Sequence, residues 1–154
     1  MSAISGALIA EGYKHLKDSF SLNACGDNIA ILDHDIKVKK IAKDEGKTVV
    51  CKREYSRQAG LDKVAVGFKV AGDIISFYVG IAKTEVQLDY NDWNIKEGTY
   101  WKYNGDDRVW VDGKDIYTSL PKSTSGDEVW ILVDFEKGDL HIQVNHSRQK
   151  FLEG

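Results

Sequence analysis

The sequence predicts an all-β protein, an antiparallel jelly-roll β-sandwich forming one domain over residues 1–154, with a short N-terminal helix. Three observations carry that reading. Short apolar runs with period-two alternation recur about every 8–12 residues. Gly, Asn and Asp punctuate them, as turns require. Helical periodicity is nearly absent after Ser19. A chain of 154 residues is long enough to bury a core without disulfide or metal staples.

Residues 3–18 carry Ile4, Leu8 and Leu16 with Ala7 and Ala10 between them, which fits a short helix weakened by Gly6 and Gly12. Phe20, Leu22 and Ala24 then alternate with polar neighbours, and Cys25-Gly-Asp-Asn makes a turn. Ile29 and Ile31 form the next strand, Ile36, Val38 and Ile41 another, and residues 48–51 a third after the Asp44-Glu-Gly turn. Residues 53–63 are polar and read as a loop. From Val64 the β signal strengthens. Val64, Val66 and Phe68 alternate, and residues 74–82 are nearly continuously apolar, as suits burial on both faces. Further strands are predicted at 85–89, 99–103, 109–111 and 116–118, with turns at 104–107 and 112–114 and a loop from Pro121 to Ser125.

The last predicted element is a hairpin. Val129, Ile131, Val133 and Phe135 alternate with Trp130, Leu132 and Asp134. Leu140, Ile142 and Val144 alternate with His141, Gln143 and Asn145. With Phe135 opposite Leu140 across a loop at 136–139, Trp130 faces Asn145, Leu132 faces Gln143, and Asp134 faces His141. One face is then buried. The other shows water a tryptophan, two amides and an imidazole.

Composition excludes several classes. A formal net charge of −3 leaves no basic surplus to neutralise nucleic-acid phosphates. No run of about 20 apolar residues exists for membrane insertion. The opening MSAISGALIAEGY has no basic stretch followed by an apolar one, so the expected location is cytoplasmic or secreted without a signal. Cys25 and Cys51 form no CxxC pair and read as buried thiols, with a single bridge between them left open. GxSxG, HExxH, GxGxxG and GxxxxGK[ST] are all missing, so no enzyme activity, cofactor or metal site is expected. The oxygen-rich segments at 89–92 and 104–107 fit plain turns better than calcium loops.

FYVGIA at 77–82, DWNIKEGTYW at 92–101 and DEVWILVDFEKGDLHIQVN at 127–145 occur in an order and spacing that resembles the SPRY (B30.2) family. The resemblance covers residues 64–154 and implies a bent, concanavalin A-like two-sheet sandwich. It also implies core positions for Trp93 and Trp101. Trp130 departs from it, standing where the family usually has glycine. Small lectins of the slime-mould haemagglutinin type are similar in size and sandwich class, though no diagnostic motif links them to this chain.

Strand parity sets Trp130 and Trp110 away from the main core, with Val109 and Val111 inward and Arg108 outward beside Trp110. Tyr100 and Tyr103 fall on opposite faces. An indole stacks on the apolar face of a pyranose while amides and carboxylates bond its hydroxyls. The candidate ligand residues are therefore Trp130 with Asn145, Gln143 and His141, and Trp110 with Tyr103, Asn104 and Asp107. The expected function is a metal-independent lectin that binds glycans on glycoproteins and forms a homo-oligomer when it agglutinates. The alternative is a SPRY-type module that binds a peptide of a partner protein. A third possibility has Trp130 covered by the N-terminal helix. Trp130→Ala separates these: loss of binding at unchanged stability marks a surface ring, and collapse of stability marks a core one.

Overall fold

The computed structural model of the chain describes residues 11–16, 20–25, 29–34, 37–40, 49–51, 62–69, 77–82, 98–103, 108–111, 114–117, 120 and 126–152. In chain order the strands are β1 Lys14–His15, β2 Phe20–Cys25, β3 Ile29–Leu32, β4 Lys37–Lys40, β5 Val49–Cys51, β6 Lys63–Lys69 and β7 Phe77–Ala82. They continue with β8 Gly98–Tyr103, β9 Arg108–Val111, β10 Lys114–Tyr117, β11 Glu128–Asp134, β12 Asp139–Val144 and β13 Ser147–Leu152. One sheet runs β1-β6-β11-β12-β13 and another β10-β9-β8-β7, with β2-β5 and β3-β4 as two-stranded pairs. Among the described residues all pairings are antiparallel except β1 with β6. The all-β sandwich read from the sequence is the fold observed.

The core lies between the two larger sheets. Val109 of β9 packs with Val129, Ile131, Leu140, Ile142, Val144 and Leu120, and Phe68, Val111, Val133 and Phe151 flank them. Each such side chain removed from water contributes about 1.5–3 kcal/mol before entropy is counted. The opposite face of β11 is buried as well: Tyr13, Ala65, Trp130 and Leu132 form a second apolar cluster.

Three features differ from the sequence reading. The helix expected over 3–18 does not extend through its C-terminal part, because Lys14 and His15 are strand partners of Val64 and Ala65. Gly12, at φ 82, turns the chain there, and Leu16 N donates to Ala65 O at 3.0 Å. Residues 3–10 lie outside the described residues, as do the strand expected at 85–89 and the turn at 104–107.

The C-terminal hairpin closes two residues away from the expected register. Trp130 pairs with Gln143, Leu132 with His141 and Asp134 with Asp139, so the loop is 135–138. Asp134 sets this register: its Oδ1 accepts hydrogen bonds from the amides of Glu136 and Lys137, each at 3.1 Å. Gly138, at φ 73, takes the last loop position, where a left-handed residue is needed. Phe135 leaves the ladder and donates its amide to Asp62 O at 2.7 Å. The shift is even, so each side chain keeps its face. The third difference is an added strand. β13 follows a tight turn in which Asn145 adopts φ 50.

Candidate functional site

β11, β12, β6 and β13 together build the sheet face that carries the expected outward row. Cross-strand register aligns Gly67, Trp130, Gln143 and Arg148 in one row, and Ala65, Leu132, His141 and Lys150 in the next. Beyond them Asp134 meets Lys63 and Asp139. The face is not open to water. Residues 11–16 cross it as a strap, with Tyr13 and Leu16 each 7% exposed.

Trp130 is therefore core, at 4% exposure, which corrects the water-facing position expected for it. Its ring lies against Gly67, where an added Cβ would come within 2.9 Å of the indole. The indole Nε1 donates to Glu128 Oε2 at 3.1 Å, and the His15 ring meets it edge-on at 4.6 Å. Strand parity signalled two unlike faces. It did not reveal that the second face is covered from the opposite end of the chain.

The amides beside it hold the fold together. Gln143 is 4% exposed; its Oε1 accepts from Arg148 Nε at 2.9 Å and its Nε2 donates to Asn145 O at 2.9 Å. Asn145 Oδ1 accepts from Glu128 N at 3.0 Å, and its Nδ2 donates to Asp127 Oδ1 at 3.0 Å. His141 is half-buried. Burial, with the Arg148 and Lys150 cations behind it, holds its pKa below the ordinary 6.5.

The strap brings in residues that the sequence reading did not single out. Glu11 forms a two-pronged pair with Arg148, Nη1 to Oε2 and Nη2 to Oε1, the second at 3.1 Å. The Tyr13 ring has Lys63 Nζ at 5.2 Å and the Arg148 guanidinium at 5.9 Å from its centroid. Lys63 also reaches Asp134 at 3.9 Å and donates to Glu11 O at 3.4 Å. Lys150 pairs with Asp139 at 3.2 Å. Burial, then the Asp134 carboxylate, raises the Tyr13 phenol above its ordinary 10.0. The available sequence signals were the acidic–x–aromatic spacing of Glu11 and Tyr13 and the alternation after Asn145.

The second group of expected ligand residues maps to the other large sheet. Backbone register sets Trp110 across from Tyr100 and Asp115, on the face alternate to Val109. Tyr103 pairs with Phe77 and shares the face of Trp101 and Val109, so Tyr103 and Trp110 are not brought to one face. Asn104 and Asp107 lie outside the described residues. The two edge strands each carry an exposed isoleucine, Ile81 at 38% and Ile116 at 41%. Among the described residues no three His, Cys, Asp or Glu side chains are grouped to hold a metal. Nor is any helix among them long and apolar enough to cross a membrane.

Comparison with known proteins adds two findings. The family model described as the SPRY domain matches residues 63–151, more than half of the chain. The crystal structure of the TRIM65 PSpry domain is similar in fold, with a TM-score of 0.67 at 12% identity over 96% of this chain and 84% of that one. No curated protein matches the sequence.

Proposed function

The chain belongs to the SPRY domain family, and from that premise we propose that it is a non-catalytic protein-interaction module that binds a short segment of a partner protein. The family match over residues 63–151 is the observation that carries the reading. The β10-β9-β8-β7 sheet supports it. Its register gathers Tyr100, Trp110 and Asp115 in one row. Aromatic anchors flanked by charge are the usual energetic centres of protein interfaces.

The glycan reading has less support. Its central ring, Trp130, is 4% exposed, and the Gln143 and Asn145 amides are engaged within the chain. A lectin site would have to be built from Trp110, Tyr103, Asn104 and Asp107 instead. The test probes the purified chain with a displayed peptide library and with a glycan array, the array run with and without EDTA. The reading expects selected peptides to bind in solution and Trp110→Ala to weaken them by about thirtyfold, as for an interface anchor. Selective glycan binding with a silent peptide library would reverse it.

A further inference from the structure

The strap meets the sheet as a bound peptide meets a receptor. It adds a two-residue strand to the edge of β6, buries two anchors, Tyr13 and Leu16, and closes a charge pair between Glu11 and Arg148. Backbone pairing at a sheet edge combined with buried side-chain anchors is the strand-addition mode of peptide recognition. We propose that the seat beneath the strap is a second binding site, for a partner segment of the pattern acidic–x–Tyr–x–x–apolar, and that residues 11–16 occupy it in cis until such a segment displaces them.

The charges of the seat select this occupant. Lys63 and Arg148 both approach the tyrosine ring, and Arg148 takes the acidic group two residues before it. Ala65, Trp130 and Leu132 supply the apolar floor. Burial, then the Asp134 carboxylate, raises the phenol above its ordinary range, so the seat holds the tyrosine neutral. Displacement is feasible because β1 is two residues long and stands at the sheet edge. Short edge elements open locally well before the whole domain unfolds. The site goes beyond the interaction reading above, since it lies on the other large sheet and does not involve Trp110.

The test uses chains of residues 1–154 and a labelled synthetic peptide with the sequence of residues 9–18, IAEGYKHLKD, followed by fluorescence anisotropy. Occupancy in cis lowers apparent affinity by the fraction of open seats, so loosening the strap must strengthen binding. Glu11→Ala, at an exposed position, is expected to bind the peptide about two- to fivefold tighter than the wild type, the range of a surface ion pair. Tyr13→Ala is expected to bind about tenfold tighter or more, because it empties the seat. A peptide with alanine at the tyrosine should bind more weakly, and Arg148→Glu in the receptor should remove the gain. Circular dichroism confirms that each variant is folded, and Glu11→Ala carries the test where Tyr13→Ala is not. Folded variants that bind no tighter than the wild type would overturn the proposal. So would binding indifferent to Arg148→Glu, or a strap-exchanged dimer that leaves no seat for peptide. Library peptides that depend on Trp110 but not on Arg148 or Glu11 would keep the interaction reading and overturn this one.

Discussion

Trp130 owes its burial to the residue across the ladder. Gly67 has no side chain, so the indole can lie against the β6 backbone while its Nε1 stays bonded to Glu128. Trp130→Ala is expected to lower stability by about 3–5 kcal/mol, the usual loss for a buried aromatic, as read from a urea transition. An unchanged midpoint would return the ring to the surface. Gly67→Ala drives a methyl into the indole and is expected to destabilise by about 1–3 kcal/mol. His141 gives a pH signature. Its folded pKa lies below 6.5, because burial and the Arg148 and Lys150 cations disfavour the charged ring. Between the folded pKa and 6.5 the unfolded chain therefore binds more protons than the folded one, and stability falls as the pH drops through that window. Above 6.5 and below the folded pKa this contribution is flat. His141→Gln should flatten the slope within the window; an undiminished slope would assign it to other groups.

At the scale of elements, the hairpin of β11 and β12 shows what local sequence encodes. Alternation at Val129, Ile131 and Val133 records burial directly, so the strand and its core face were legible. The register was not, because period two is satisfied by any even shift, and turn chemistry then decides. Asp134 and Gly138 make that decision through two side-chain-to-amide bonds and a positive φ. Gly138→Ala is expected to destabilise by about 1–2 kcal/mol, the left-handed penalty for a residue with a Cβ. Equal melting curves for variant and parent would show that the loop relaxes into another turn. The cover over Trp130 was open to the sequence only as one possibility, an N-terminal helix, where the structure has a strand and turn. Tyr13 reaches it from the other end of the chain, and no local pattern reports a contact so distant. One hint was present: the alternate set of β11, Trp130 and Leu132, is itself apolar, as it must be in a strand buried on both faces.

For the whole molecule, the five-stranded sheet is buried on one face by the sandwich core and on the other by the strap. The sandwich class followed from strand spacing, and the family resemblance followed from the order of three weak motifs. The proposed function rests on the family match and on the backbone row of Tyr100, Trp110 and Asp115; strand parity alone did not decide the exposure of Trp130. The central claim is that this SPRY-family chain recognises a protein segment. The most direct test is a calorimetric titration of the full chain with library-selected peptides, beside a glycan array. Saturable one-to-one peptide binding with a blank array is the predicted result. Selective glycan binding without any peptide titration would contradict it.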